Sequence, residues 1–324
     1  MKTVVIGCSG HIGSYLVPKF VHAGHKVVGI SRGQSKPYKQ DPAWREVEQI
    51  VLDRSKDTEG DFERKIAALN ADVVVDLINF TLDDTKRMVE ALKSTNFSHY
   101  LFCSSVWAHG KTTNVPILED QPKYPFGEYG IQKAKSEEYL HSLYRKEGFP
   151  ETVIMPAQIS GPGWLIMTPA ANHDLEVFAK ISRGEEIAIP NFGMETVHHV
   201  HADDVAQVFF NAVTHRNASL GESFHAGSGE AITLLGYAQA IYRYFGHEEK
   251  IKLLSWEEWC EYTNNEDYVD RTYGHIVRSG LYSIEKAKRL LEYYPRYTLM
   301  ETIEESVAYM VENKWFEKQG ITLF

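Results

Sequence analysis

Gly7-Cys-Ser-Gly-His-Ile-Gly13 comes directly after the short apolar run Thr3–Ile6. It opens a segment whose apolar residues, Ile12, Tyr15, Leu16 and Phe20, recur every three and four positions. Few architectures place three glycines between a strand and a helix in this way. The first glycine serves a tight turn, the second lets backbone approach a pyrophosphate, and the third lets helix pack on strand while the helix N-terminus faces the anion. A bare glycine triplet is weak evidence, a merely structural turn being the alternative. In this context the pattern predicts a dinucleotide-binding turn with Gly7, Ser9, Gly10, His11, Ile12 and Gly13 at the ligand.

The rhythm continues through the first half of the chain. Lys26–Ile30, Gln49–Leu52, Asp72–Ile78, His99–Ser104 and Glu151–Met155 read as buried strands with helix-period stretches between them, which means an α/β fold with a doubly wound parallel sheet. After about Pro162 the pattern changes. Residues 164–172 read as loop, a helix is expected around 175–183, a strand around 195–201 and a helix from about Asp203, and the chain from Ile232 onward reads as mainly helical and aromatic. No linker or repeat separates the two patterns, so a second lobe is expected to interweave with the first.

An NAD site calls for an acid about twenty residues beyond the glycines, at the end of the second strand. This chain has Ser31-Arg32 there instead. A hydroxyl and a guanidinium suit a ribose 2′-phosphate, which an acid repels, so NADP is expected, with NAD as the alternative. Arg32 could equally be a solvated loop residue or stack on adenine. Asp53 and Arg54, after the third strand, are placed near the adenine, and Asp53 reads nearly as well as a helix cap.

Tyr129 and Lys133 stand four apart at the start of a predicted helix and therefore share a face. Taken alone, such a pair is more often a solvated face than a site. The net charge of −10 argues against a nucleic-acid partner, whose binding depends on lysine and arginine. Three widely spaced cysteines without C-x-x-C suggest neither disulfides nor a zinc site and fit a reducing, cytoplasmic setting. The N-terminus shows no cleavable leader, and no run approaches the roughly 18 apolar residues of a membrane span, so no membrane partner is expected.

Together the glycine turn, Ser104-Ser105, Tyr129/Lys133, Pro156-Ala-Gln-Ile-Ser-Gly-Pro-Gly163, His201-Ala-Asp-Asp-Val-Ala206, Lys286-Ala287 and Tyr294-Pro-Arg-Tyr297 resemble the extended short-chain dehydrogenase/reductases, which include the NAD(P)-dependent epimerase/dehydratases. The resemblance implies a Rossmann domain over 1–163, rejoined by 203–228, and a smaller C-terminal substrate lobe from 164–202 and 229–324. It implies catalysis by Ser105, Tyr129 and Lys133, cofactor contacts from Pro156 and Ile159, and a homodimer through the tyrosine helix. Tyr129 becomes the general acid/base. Lys133 holds the nicotinamide ribose and lowers the tyrosine, since an ammonium about 4 Å away at an effective dielectric of about 20 supplies roughly the 4 kcal/mol that a move from about 10 to about 7 requires. Ser105 would bind the reacting oxygen, with Ser104 as the fallback.

Departures from the family pattern narrow the reading. Val106-Trp107 stands where dehydratases carry an Asp–Glu pair, and neither residue transfers a proton. Glu195–His199 lacks the arginine that grips a nucleotide-sugar diphosphate, with Arg271, Arg278, His198 or His199 as substitutes. Trp107, His109, Trp164 and Tyr273 are candidate pocket walls, packing being the alternative for each. His199 and His201 share a strand face but lack further ligand spacing, and Asp203-Asp204 reads better as a helix cap, so no metal is expected. The expectation is an NADP-preferring oxidoreductase or epimerase, moving a hydride to or from a carbinol or keto carbon of a small, sugar-like substrate. A nucleotide-sugar epimerase and a non-catalytic nucleotide-sensing or RNA-associated protein on the same fold are the alternatives.

Overall fold

The computed structural model describes residues 1–56 and 60–324. Six strands alternate with helices in the first half: β1 (Lys2–Ile6), β2 (Lys26–Ser31), β3 (Glu48–Val51), β4 (Val73–Asp76), β5 (His99–Cys103) and β6 (Glu151–Pro156). A seventh strand, Ser223–Ala226, pairs with β6, and the order across the sheet is seventh, β6, β5, β4, β1, β2, β3, with every pair parallel. The central strands are buried along almost their whole length, because helices cover both faces. Helices α1 (His11–His22), α2 (Asp61–Ala68), α3 (Leu82–Lys93) and α4 (Glu128–Glu147) connect the strands. The strand order reverses between β1 and β4, and the crevice beyond their C-terminal ends is where such a sheet binds ligands.

Two hydrophobic clusters form the interior. The first holds the sheet and its helices and takes in Val205, Phe209 and Phe224 from 202–226, and also Tyr282, Ile284, Leu291 and Tyr293. The second gathers Phe178, Tyr237, Ile241, Ile303 and Val307 from helices Leu175–Ser182, Leu234–Tyr244 and Leu299–Glu312. A strand at Ile251–Leu254, paired with Ile187–Pro190, lies in a stretch that reads as helical, and its exposed Lys252 and Leu253 mark an edge. The expected strand around 195–201 is two short strands, Thr196–Val197 and His199–His201, which pair with different partners.

The helix expected from Asp203 spans Ala202–Thr214, but its cap is His201, whose ring accepts from the Asp203 amide. Asp203 instead pairs with Lys19 at 2.7 Å and Arg296 at 2.9 Å, and Asp204 accepts from the amides of Arg296 and Tyr297. Both aspartates thus tie the C-terminal region to the first lobe, which corrects their reading as caps.

Candidate active site

The glycine turn curls between β1 and α1. Gly7 has φ +87°, a left-handed conformation that favours glycine, and a Cβ on Gly13 would lie 2.4 Å from the carbonyl oxygens of Gly7 and Cys8. Gly10 caps α1 without a side-chain hydrogen bond, and no acid stands in the first turn, so the helix N-terminus presents its backbone donors to an anion. The residues therefore fit a dinucleotide diphosphate. Above the turn, the His11 ring stacks on Trp164, with centroids 5.0 Å apart and planes 9° apart, and Tyr38 meets it edge-on. Burial pushes His11 down to about 3, so it is neutral.

A cavity of about 380 Å³ opens from this turn to the start of α4. Gly7, Gly10, His11, Ile12, Gly13, Ser104, Ser105, Tyr129, Lys133, Pro156, Ile159 and Trp164 line it, joined by Leu77, Ile78, Phe80, Cys103 and Ala157. The last five escaped the sequence reading. Their signal was position, since all follow or end β4, β5 and β6 at the C-terminal edge. A larger groove of about 580 Å³ on the outer side of α4 shares none of these residues, and neither the glycine turn nor Tyr129 faces it.

Lys133 is buried and its Nζ donates to the carbonyl oxygens of Asn79 and Cys103, each at 2.6 Å, with the rings of Phe80 and Phe102 5.0 Å away. The Asn79 side chain is itself fixed by Asp76, Thr85 and Tyr100. Desolvation lowers Lys133 to about 8, and it raises Tyr129 to about 12 against the opposing effect of a hydrogen bond from Ser105. The ammonium lies 5.6 Å from the tyrosine ring centroid, directed at carbonyls. The lowering of Tyr129 towards 7 is thus not what the protein's own groups produce. Lys133 is not among the groups that move Tyr129, whose ring is 41% exposed at the cavity mouth: desolvation of its hydroxyl end and Cys103 raise it, and the Ser105 hydrogen bond lowers it. Ser105 accepts from the Trp107 amide at 3.2 Å and so caps the short 3₁₀ turn Val106–His109, whereas the buried Ser104 hydroxyl has no protein partner.

The remaining sequence candidates lie elsewhere. Ser9 is in the turn with its hydroxyl 3.3 Å from that of Ser35, and Ser31 accepts from the Gly33 amide. Arg32 is exposed and helps hold the Asp53 carboxyl below its usual range, although the hydrogen bond from Ser55 does most of this. Asp53 caps the turn Arg54–Lys56, accepting from both the amide and the hydroxyl of Ser55. Arg54 points inward, donating to Asp76 at 2.7 Å and to the Ile78 carbonyl at 3.0 Å, so it supports the sheet edge below Asn79 and does not line the cavity. The carboxylate that ends the buried strand β4 requires such a partner. His109 pairs with His225, ring nitrogens 2.8 Å apart, in the interior. Trp107 meets Tyr129 edge-on at 6.0 Å, beside the cavity, and Tyr273 packs near Trp256. His199 bonds Ser160 while His201 stacks on Tyr297, and no group of three metal-ligating side chains converges among the described residues. Among those residues no helix is long and apolar enough to cross a membrane.

Comparison with known proteins agrees with this geometry. The sequence profile of the NAD dependent epimerase/dehydratase family matches residues 3–227. Chloroplast stem-loop binding protein of 41 kDa b from Arabidopsis thaliana is 28% identical over 316 residues, covering 94% of this chain and 78% of that protein. A UDP-glucose 4-epimerase from Mycolicibacterium smegmatis is 25% identical over 248 residues, covering 71% of this chain and 78% of the relative. Among solved structures, the Thermotoga maritima UDP-glucose 4-epimerase with UDP-glucose superposes with a TM-score of 0.74 at 20% identity, covering 97% of this chain and 100% of the other, a likeness that speaks for the fold.

Proposed function

The chain belongs to the NAD dependent epimerase/dehydratase family, and on that footing we propose an NADP-preferring oxidoreductase or epimerase acting on a small, sugar-like hydroxy or keto compound. The observation that carries the proposal is the meeting of the glycine turn, Ser104–Ser105, Tyr129 and Lys133 in one cavity. A bound nicotinamide dinucleotide supplies the hydride acceptor or donor. The Gly7–Gly13 turn would hold its diphosphate, Lys133 its ribose, and Pro156 and Ile159 the nicotinamide side. Ser105 orients the reacting oxygen, and Tyr129 moves the proton. A tyrosine raised to about 12 is protonated at neutral pH, the form that donates to a developing alkoxide. Val106 and Trp107 offer no acid–base pair for eliminating water.

The preference for NADP rests on Arg32 and on the absence of an acid at the end of β2, with Asp53 as the opposing charge nearby. The preference for a substrate without a diphosphate rests on the second-lobe cations. Lys180 donates to Tyr262, Arg183 engages Glu176 and Glu185, Arg271 pairs with Asp267, and Arg278 donates to backbone carbonyls. None of them lines the cavity. The free thiols Cys8, Cys103 and Cys260 are compatible with a reducing, cytoplasmic setting, and a homodimer through α4 follows from the resemblance alone.

A thermal-shift and fluorescence titration with NADPH and NADH, followed by a screen of ketones, free sugars, sugar acids and UDP-, GDP- and dTDP-sugars, tests all three parts. Tighter NADPH binding and stabilisation by an uncharged or singly charged compound are expected. Equal cofactor affinities overturn the NADP preference, and saturable micromolar stabilisation by a nucleotide sugar overturns the substrate class. The stem-loop binding relative favours a second reading, a nucleic-acid-associated protein on this fold. The charge of −10 opposes it. Filter binding of an RNA hairpin at 50 and 200 mM salt decides: retention that weakens steeply with salt supports that reading.

A further inference from the structure

Arg278 is 4% exposed, yet no carboxylate pairs with it among the described residues. Its guanidinium lies between two aromatic faces, 3.9 Å from the Trp107 ring centroid and 3.7 Å from that of Phe126. Nη1 donates to the Gly274 carbonyl at 2.5 Å and Nη2 to the Phe126 carbonyl at 2.9 Å. A buried cation without a counter-ion is costly unless its donors are met and its faces are covered by π-electrons; here both faces are covered and each terminal nitrogen has one carbonyl, while the buried Nε has no hydrogen-bond partner.

The contacts of this group lead to the proposed catalytic residues. Phe126 immediately precedes Gly127, the N-cap of α4, and Tyr129 stands in the first turn. Trp107 donates its amide to the Ser105 hydroxyl and sets its ring edge-on to Tyr129. Gly130, whose Cβ would fall 2.7 Å from the Trp107 carbonyl and 3.7 Å from Nη2, lets the helix come this close. On the other side, Gly274 belongs to the second-lobe helix Glu266–Ile276, and His275 of that helix packs on Trp107 at 5.3 Å.

We propose that Arg278 is a positioning residue of this site: its guanidinium fastens the second lobe to Trp107 and to the first turn of α4, and so fixes Ser105 and Tyr129 relative to each other. The consequence for turnover rests on the acid–base reading of Tyr129, whereas the fastening itself does not. Lysine cannot replace the group, because an ammonium lacks both the planar faces for the two rings and the fork that reaches both carbonyls.

The test is amide hydrogen exchange on the full chain, comparing wild type, Arg278→Ala, Arg278→Lys and Arg278→Met, with NADPH affinity measured in parallel. Exchange across 105–110 and 127–133 is expected to accelerate at least tenfold in all three variants, while NADPH binds within about threefold of wild type. Methionine refills the slot with an apolar chain and keeps the fold measurable if alanine does not. Ethylguanidinium at about 10 mM, far below denaturing levels, is expected to restore protection in Arg278→Ala and to leave Arg278→Met unchanged. Wild-type exchange in the methionine and lysine variants, or acceleration spread evenly over the chain that ethylguanidinium does not reverse, overturns the proposal. Failure of the acid–base reading shows separately, as activity retained by Tyr129→Phe.

Discussion

Two walls flank Tyr129, and each contains a buried cation that has two backbone carbonyls in place of a carboxylate. On the first-lobe side Lys133 donates to Asn79 and Cys103 beneath Phe80 and Phe102; on the second-lobe side Arg278 donates to Gly274 and Phe126 between Phe126 and Trp107. Desolvation lowers both, to about 8 for the lysine and about 10 for the arginine. The chemistry of the two groups separates their roles. Lys133 lines the cavity and can release a proton near neutrality, whereas Arg278 is outside the cavity lining, stays charged, and acts through its rigid fork. Under the proposals above, one wall meets a cofactor and the other holds the tyrosine against a second lobe.

The largest expected effect breaks the shared element. Tyr129→Phe deletes only the proton-transfer oxygen, so turnover should fall by roughly 10²–10⁴ while NADPH affinity is unchanged. Steady-state rates and a cofactor titration check this, and a variant keeping more than a tenth of wild-type turnover removes Tyr129 from its role.

Next is a contrast between the walls. Lys133→Met should weaken NADPH at least tenfold, because it removes a cavity-lining donor; the two carbonyls it leaves without their partner lower fold stability by about 1–3 kcal/mol each. Arg278→Met should leave NADPH within about threefold. Equal losses in the two variants would erase the distinction. Arg32→Ala sharpens the cofactor side further: a charge-assisted bond to a 2′-phosphate is worth about 1.5–3 kcal/mol, roughly 10- to 150-fold in NADPH affinity with NADH spared.

A pH profile separates the walls again. Lys133 loses its proton as pH rises through about 8, so NADPH-dependent reduction should decline above that pH if its charge is needed. Tyr129, raised to about 12, adds no limb between pH 6 and 10. The absence of an alkaline limb near 8 would take the role away from the lysine charge.

The two walls also differ in how far they were legible. The glycine turn, Ser104–Ser105 and the Tyr129/Lys133 pair follow local rules, since strand period, helix period and turn chemistry act over a few residues. These rules placed six of the seven sheet strands within a residue or two, missing the short Ser223–Ala226, and brought most of the cavity lining together. The Arg278 wall joins Trp107, Phe126 and Gly274 across up to about 170 positions, and no local pattern encodes such a meeting. Arg271 and Arg278 stood out only as stand-ins for a missing diphosphate clamp. Arg54 shows the same limit from the other side. Its place after β3 suggested a ligand, and only the neighbouring β4, with Asp76 buried at its end, reveals the ion pair that turns it inward.

The last expected difference between the walls, a local one, concerns acid. Burial pushes His275 to about 4, His198 to about 4 and His199 to about 3, against an unfolded value near 6.5. As pH falls below 6.5 the unfolded chain takes up protons that the folded chain refuses, so stability drops by up to about 1.4 kcal/mol per pH unit per histidine until the folded values are reached. His275 is the one that packs on Trp107, and Arg278 is among the groups that lower it, so its protonation sets two cations on the same ring. The Lys133 wall has no such neighbour, because the causes of the lysine shift are burial, Cys103, Asp76 and Arg54. Hydrogen exchange at pH 7.5 and 5.0, corrected for intrinsic rates, should therefore show 105–110 and 266–279 loosening first while 74–80 keeps its protection. His275→Gln should remove most of that difference. Uniform loosening of both walls, or a difference that survives in His275→Gln, would mean that the second wall is held by something other than an arginine kept apart from a neutral histidine.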